Sequence, residues 1–240
     1  MVLPHEISNK SICSKVGVIV VAAGESRRML GVDKIFAPLM GKPLICYSLR
    51  VIHDSLRVKE IVLVLSRSNI EMGHRVVKAN RWHKVKHICV GGERRQDSVN
   101  RGIERLPDVD WIIVHDGARP FISGDLITRG LEEAEHTGAA VAAVPVKDTI
   151  KSVNKEFFVT QTHFRDSLWA IQTPQVFRRK MLAEAHLDVP EEVSDDASMV
   201  ERDGGKIRVF MGSYGNIKVT TLEDMPIAEA MLKARALSNF

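Results

Sequence analysis

The chain has 240 residues, of which 45% are apolar and 27% charged, and 34 basic against 30 acidic residues give a formal net charge of +4. This composition is ordinary for a globular protein, and the small basic excess forms no tail or stripe that would indicate nucleic-acid binding. No apolar run is long enough to predict a transmembrane helix, so no membrane association is expected. The three cysteines at positions 13, 46 and 89 form no Cys-x-x-Cys pair, which counts against a zinc or disulfide framework and favours a reducing, cytoplasmic location. We expect a flexible N-terminal extension at 1–15 and one domain at 16–240.

Apolar runs without polar alternation predict buried strands at 18–21, 60–65, 87–90, 111–114 and 139–146. Between them, helices are predicted to begin at Lys42-Pro43 and to cover 69–80, 97–106 and 126–136, the last capped by Gly138. Strands that alternate with helices at this spacing are typical of an α/β fold with a mostly parallel sheet and right-handed crossovers.

The pattern changes after residue 146. Two short alternating segments, 149–153 and 157–162, flank a polar turn and predict a β-hairpin within 147–168. A lone hairpin has too little core to be stable, so we expect an arm that crosses to a second subunit, the alternative being an edge hairpin on the same sheet. Further along, the sequence predicts helices at 178–187 and 195–203, strands at 207–210 and 216–220, and a final helix at 222–237 with Thr221 as its N-cap.

The first candidate site follows the first strand. Ala22, Ala23 and Gly24 have almost no side chain, so a ligand could approach their backbone amides, and Arg28 and Lys34 add positive charge nearby. Exposed amides beside basic side chains favour a polyphosphate site. The alternative is a small-residue turn followed by a solvated basic loop. Neither a G-x-G-x-x-G fingerprint nor a Walker A loop is present, which counts against a dinucleotide-binding oxidoreductase.

Two more clusters follow later strands. Gly91-Gly92 opens a loop that ends at Ser98, and this loop could hold a flat base; the alternative is a plain strand-to-helix connection. Asp116 stands where the strand at 111–114 ends, on the side of the sheet where ligands bind in open α/β folds. Its carboxylate could meet a ribose or a magnesium–phosphate complex, or simply pair with Arg119.

The motifs occur in a specific order: Ala-Ala-Gly-x-Ser-x-Arg-Met, Asp-Lys, Gly-Gly-x-x-Arg-x-Asp-Ser-Val, Val-His-Asp-Gly-Ala-Arg-Pro, Val-Pro-x-x-Asp-Thr-Ile-Lys, Thr-Pro-Gln-x-Phe, Asp-Asp-Ala-Ser and Asn-Ile-Lys-Val-Thr. This set, which spans about 16–237, resembles the 2-C-methyl-D-erythritol 4-phosphate cytidylyltransferase family of the non-mevalonate isoprenoid pathway. The resemblance implies a three-layer, nucleotide-diphospho-sugar transferase-like fold and a homodimer formed through the β-arm. It also implies CTP and 2-C-methyl-D-erythritol 4-phosphate as substrates, with Mg²⁺ as cofactor.

By resemblance, each motif carries a role. Arg28 and Lys34 would be catalytic, and the nucleotide would contact Ala22, Ala23, Gly24, Gly92, Ser98 and Asp116. The sugar phosphate would be positioned by Arg165 and Lys218 and held by Arg119, Thr149, Thr173 and Ser194, with Thr149 reaching the site of the partner subunit. Asp116 is the one residue considered as a metal ligand.

This sequence departs from the family pattern at three places. Asp33-Lys34-Ile35 stands where the family often has Pro-Lys-Gln, and Ser194 replaces a threonine while keeping its hydroxyl. In addition, the segment between Arg28 and Lys34 is a residue shorter than in some members of the family. Two other functions remain open at this point. One is a ribitol-5-phosphate cytidylyltransferase, which shares much of the pattern, and the other is a non-catalytic nucleotide-binding protein on the same fold.

Overall fold

The structure, a computed structural model, describes residues 14–24, 34–187 and 191–237. The strands in these ranges are β1 (Val16–Ala22), β2 (Pro38–Leu39), β3 (Lys42–Pro43), β4 (Glu60–Leu65), β5 (Val85–Val90), β6 (Trp111–Asp116), β7 (Ala139–Pro145), β8 (Lys151–Val153), β9 (Val159–Thr162), β10 (Trp169–Arg178) and β11 (Arg208–Met211). The helices are α1 (Ile45–Asp54), α2 (Ile70–Ala79), α3 (Arg95–Ile103), α4 (Gly124–Thr137), α5 (Arg179–Ala185), α6 (Asp196–Arg202) and α7 (Asp224–Leu237). None of the described helices is long and apolar enough to span a membrane.

Seven strands form the central sheet in the order β11-β7-β10-β6-β1-β4-β5. Neighbouring strands are parallel except for β10, which runs antiparallel to both β6 and β7. The mostly parallel sheet is therefore confirmed. The long strand β10 was not predicted. A proline such as Pro174 is unusual in a central strand, and here the pairing register shifts between Ile171 and Gln175, where a residue without an N–H can be accommodated.

Apolar cores lie on both faces of the sheet, as the three-layer prediction requires. Successive residues of β1 point to opposite sides, so Val18 and Val20 belong to one core and Ile19 to the other. Helices α1 and α4 cover the first face, while α3, α5 and α6 cover the second. This packing buries the strands and leaves their carboxyl ends, with the loops that follow them, available for a site.

Two local predictions were wrong. Lys42-Pro43 does not begin a helix but pairs with Pro38-Leu39 as a small hairpin, because Met40 and Gly41 both adopt positive φ angles (49° and 78°) and turn the chain back. Residues 216–220 do not form a strand. They run along the carboxyl edge of the sheet, held by the Val219 N–H, which donates to the Ala118 carbonyl at 2.9 Å.

Several element ends also differ from the predicted ones. The arm hairpin is present but shorter than predicted, with strands β8 and β9 only. Helix α7 begins at Asp224 and not at residue 222. Just before the helix, the backbone N–H of Thr221, the predicted N-cap, donates to the Asp224 carboxylate. Lys15, the last residue of the expected extension, is bound to Asp110 through its backbone N–H at 2.8 Å; residues 1–13 lie outside the described ranges.

A buried histidine joins β6 to the antiparallel strand β10. His115 is fully buried; its Nε2 lies 3.1 Å from the Arg119 carbonyl, and its Nδ1 lies 2.9 Å from the Thr173 hydroxyl. A carbonyl only accepts, so Nε2 carries the proton and Nδ1 accepts from Thr173. The Thr173 oxygen in turn accepts the Asp116 N–H at 3.1 Å. This chain of bonds fixes the neutral ring and holds Asp116 at the end of β6.

The neutral ring predicts an acid-sensitive fold. Burial lowers the pKa of His115 from 6.5 to about 4, so between these pH values the unfolded chain binds more protons than the folded one. Stability should therefore rise with pH through this window, by roughly 3 kcal/mol for this group, and be lost as the pH falls. Urea unfolding of the wild type and His115→Gln at several pH values measures this, and the variant should show a shallower slope.

The control for that experiment is His136→Gln, which removes an exposed histidine from the end of α4. It should keep the wild-type slope. Parallel pH profiles for the wild type and His115→Gln would contradict the account of His115.

Candidate active site

Two cavities open at the carboxyl edge of the sheet and meet there. The larger, about 940 Å³, is lined by the residues predicted to touch the nucleotide and by the predicted catalytic lysine: Ala22, Ala23, Gly24, Lys34, Gly92, Ser98 and Asp116. The smaller, about 410 Å³, is lined by three residues predicted to hold the sugar phosphate: Arg119, Thr173 and Ser194. Arg95, Asp116 and Lys218 line both cavities.

Two predicted residues lie elsewhere, and a third, Arg28, lies outside the described residues. Within the described ranges, Thr149 and Arg165 are exposed, lie in the arm region and line neither cavity of their own chain. Arg165 donates to the Lys147 carbonyl at 2.9 Å, which keeps it on the arm.

The loop after β5 is shaped by its own contacts. A Cβ added at Gly91 would collide with the Ala23 Cβ, and one added at Gly92 would collide with the Asp97 Cβ, so both positions require glycine. The Ser98 hydroxyl accepts the Gly92 N–H at 3.1 Å and is almost fully buried. Ser98 therefore sets the shape of the loop. The close packing of Gly91 on Ala23 brings the first and second predicted clusters together as one wall of the larger cavity.

Lys34, the first described residue after Gly24, lines the same cavity. The residue after it, Ile35, is buried in the apolar core, and its carbonyl accepts the N–H of Ile45 at the start of α1. The unusual isoleucine of the Asp33-Lys34-Ile35 segment thus anchors the backbone directly beside Lys34. Asp33 itself lies outside the described residues.

Asp116 is the charged centre of the site. Its carboxylate lies 2.8 Å from Lys218 Nζ, 3.3 Å from Arg95 Nε and 3.8 Å from Arg119 Nε. Burial by itself would raise the pKa of Asp116, but the nearby Arg95 and Lys218 charges hold it well below its usual range. An ionised carboxylate accepts hydrogen bonds only, so Asp116 is suited to hold cationic side chains and hydroxyl groups of a sugar.

Hydrogen bonds from side chains to backbone carbonyls hold Arg119 in place. Arg119 Nη1 donates to the Asn216 carbonyl at 2.8 Å, and Asn216 Nδ2 donates to the Thr173 carbonyl at 2.7 Å. Asn216 is fully buried. The segment at 216–220 therefore places Lys218 over Asp116 although it pairs with no strand.

Arg95 is a site residue to which the sequence analysis gave no role. It bridges two carboxylates, Asp116 and the fully buried Asp196 at the start of α6, the second at 2.6 Å. Arg95 is the arginine of the Gly-Gly-x-x-Arg-x-Asp-Ser-Val motif, which was the available signal. Its partners are distant in sequence, so the contacts themselves could not be foreseen.

The described side chains of the site do not form a set of ligands for a metal ion. In the described part of the chain, no group of three His, Cys, Asp or Glu side chains could hold one. Asp116 faces three cationic side chains within 4 Å, and these would repel a divalent cation. Basic side chains and exposed backbone beside two joined cavities are instead suited to bind two anionic substrates side by side.

Comparison with known proteins agrees with this geometry. The family model of 2-C-methyl-D-erythritol 4-phosphate cytidylyltransferase matches residues 16–234. A protein of that name from Dehalococcoides mccartyi strain CBDB1 is 48% identical over 219 residues, covering 91% of this chain and 96% of the relative. Another from Alkaliphilus metalliredigens is 42% identical, covering 94% of this chain and 96% of the relative.

Solved structures show the same likeness. The 4-diphosphocytidyl-2C-methyl-D-erythritol synthase of Anaerococcus prevotii is 27% identical with a TM-score of 0.81, covering 92% of this chain and 97% of that one. The 2-C-methyl-D-erythritol 4-phosphate cytidylyltransferase of Thermus thermophilus is 31% identical with a TM-score of 0.76, covering 91% and 99%. The chain belongs to the 2-C-methyl-D-erythritol 4-phosphate cytidylyltransferase family.

Proposed function

We propose that this enzyme joins CTP to 2-C-methyl-D-erythritol 4-phosphate, giving 4-diphosphocytidyl-2-C-methyl-D-erythritol and pyrophosphate for isoprenoid precursor synthesis. The observation that carries the proposal is the pair of cavities that meet at Asp116, in a chain of this family. The larger is assigned to CTP, because small residues, the glycine loop and Lys34 line it. The smaller is assigned to the sugar phosphate, because Arg119, Thr173 and Ser194 line it.

The reaction is an in-line phosphoryl transfer. A phosphate oxygen of the sugar phosphate attacks the α-phosphorus of CTP, a new P–O bond forms, and the bond to the β-phosphate oxygen breaks as pyrophosphate leaves. The attacking oxygen is already anionic at neutral pH, so no general base is needed. The barrier is the repulsion between two anions and the need to align them, which fixed cations address. Lys34 and Arg28 would act on the triphosphate, and Lys218 and Arg119 on the sugar phosphate.

Mg²⁺ is proposed to arrive with CTP, held by the phosphate oxygens, because Mg²⁺ commonly binds through substrate phosphates and retains several waters. It would neutralise part of the triphosphate charge. Asp116 is not assigned as its ligand, since Arg95 and Lys218 occupy that carboxylate.

We also propose a cytoplasmic location. Cys46 and Cys89 are buried free thiols, which suit a reducing compartment.

A substrate panel tests the function. Pyrophosphate release is measured with CTP and Mg²⁺ plus either 2-C-methyl-D-erythritol 4-phosphate or D-ribitol 5-phosphate. Release with the first sugar and little with the second is expected. Release with ribitol 5-phosphate alone would overturn the substrate assignment, and tight CTP binding without any release would support a non-catalytic binding protein.

Lys34→Ala and Arg28→Ala should each lower turnover by about 10²–10³-fold, because each removes a fixed cation from the transferring phosphoryl group. Steady-state pyrophosphate release measures this, with circular dichroism to confirm folding. Lys180→Ala is the matched control, since Lys180 is exposed on α5, pairs with Glu184 at 3.7 Å and lines neither cavity. Turnover near that of the wild type in either site variant would remove that residue from the mechanism.

A homodimer formed through the arm is proposed on two observations. Residues 147–168 are all described and none is buried, and the arm exposes large apolar side chains, including Phe157, Phe158 and Phe164. Exposed apolar groups of this kind mark interaction surfaces. In addition, Thr149 and Arg165 lie outside their own chain's cavities, so a role for them requires the site of a second subunit.

Mixing two inactive variants tests the shared site. Arg165→Ala removes the arm residue and Lys218→Ala removes the residue beside Asp116, so each homodimer should be nearly inactive. After denaturation and joint refolding, the mixed dimer should contain one intact site, and random pairing in a two-fold dimer should restore roughly a quarter of wild-type turnover. A mixture no more active than its separate components would contradict the proposal that Arg165 acts in the partner's site.

A further inference from the structure

The first turn of α3 connects the two halves of the site. It begins directly after the Gly91–Arg94 loop, which lines the larger cavity. The side chains of its first two residues, Arg95 and Gln96, both bind the segment at 191–196. Ser194, which lines the smaller cavity, lies inside this segment.

Arg95 makes the charged part of the connection. Its Nη1 donates to Asp196 Oδ2 at 2.6 Å, while its Nε donates to Asp116 Oδ1 at 3.3 Å. Asp196 is completely buried, and its other oxygen lies 3.3 Å from the buried His186 Nε2. One planar guanidinium thus sets the distance between the end of β6 and the start of α6, which a flexible lysine cannot reproduce.

Gln96 makes the uncharged part of the connection between α3 and the segment at 191–196. Its amide nitrogen donates to the Glu191 carbonyl at 2.8 Å, and its amide oxygen accepts the Val193 N–H at 3.1 Å. Gln96 is 4% exposed, so its amide group is largely shielded from solvent. The pair of bonds fixes the backbone that leads into Ser194. A buried amide satisfied on both sides is costly to replace, because its partners would be left without hydrogen bonds.

We infer that Arg95 and Gln96 are positioning residues for the sugar phosphate, holding the 191–196 segment and Asp116 in register with the nucleotide loop. This inference rests on the proposed function. Neither residue is assigned a contact with the reacting atoms. They act through Ser194 and Asp116, so their loss should weaken the sugar-phosphate half of the site more than the nucleotide half.

Three variants test the inference by kinetics and binding. Gln96→Ala removes the neutral bridge and leaves the Asp116 cluster intact. Arg95→Lys keeps the positive charge and removes the planar fork. Arg129→Lys is the matched control, because Arg129 also binds a carboxylate, that of Asp125, and a backbone carbonyl, that of Met211, but lines neither cavity. Pyrophosphate release gives KM for each substrate, and calorimetry gives the Kd of CTP alone.

For Gln96→Ala, KM for the sugar phosphate should rise about tenfold, as expected for two lost buried hydrogen bonds, with kcat and the Kd of CTP close to wild type. For Arg95→Lys, KM for the sugar phosphate should rise at least as much, and kcat should also fall because Asp116 is released. The control should match the wild type in every constant.

A second readout needs no catalysis. Hydrogen exchange at the Val193 amide should be faster in Gln96→Ala, while the amides of β1 and β6 keep their protection. If Gln96→Ala and Arg95→Lys match an active wild type in KM for the sugar phosphate, or raise the KM of both substrates equally, the inference fails. A wild type without turnover would instead refute the proposed function, and this inference with it.

Discussion

The carboxylate of Asp116 and the three cations around it constrain the rest of the site. Asp116 lies at the point where two cavities meet, and Arg95, Lys218 and Arg119 each reach it from a different part of the chain. A buried carboxylate of this kind is stable only while it is paired, and an arginine or lysine nearby is held in place by the same attraction. The cluster therefore keeps the cations where anionic substrates would arrive, and under the proposed function a sugar phosphate would share Lys218 with Asp116.

The fold supplies this meeting point through strand order. Parallel strands β1 and β6 end at the same edge, which brings Ala22 and Asp116 together, and the loop after β5 packs onto that edge through Gly91. Strand β10 enters between β6 and β7 in the opposite direction and delivers Thr173 to the same place. The buried His115 ring bonds to the Thr173 hydroxyl and the Arg119 carbonyl, so a core histidine and the end of β6 are parts of one hydrogen-bond chain.

Much of this arrangement could be predicted from the sequence, because strong local patterns agree with the final structure. The apolar runs at 60–65 and 111–114 lie in buried strands, and Gly138 caps α4 in the left-handed conformation that glycine permits. The residues that the ordered motifs predict to contact the nucleotide all line the larger cavity. The failures have physical reasons: turn geometry at Met40-Gly41 displaced the start of α1, and tertiary contacts held 216–220 without strand pairing. The bridge from Arg95 to Asp196 joins residues far apart in the chain, and no local pattern reports such a contact.

The most direct test of this account is the kinetics of Asp116→Asn, which keeps the size of the side chain and removes its charge. With the fold intact by circular dichroism, kcat/KM for the sugar phosphate should fall by about 10²-fold or more, because Lys218, Arg119 and Arg95 lose the group that positions them. An Asp116→Asn variant with wild-type kcat/KM for 2-C-methyl-D-erythritol 4-phosphate would contradict the central role of this carboxylate.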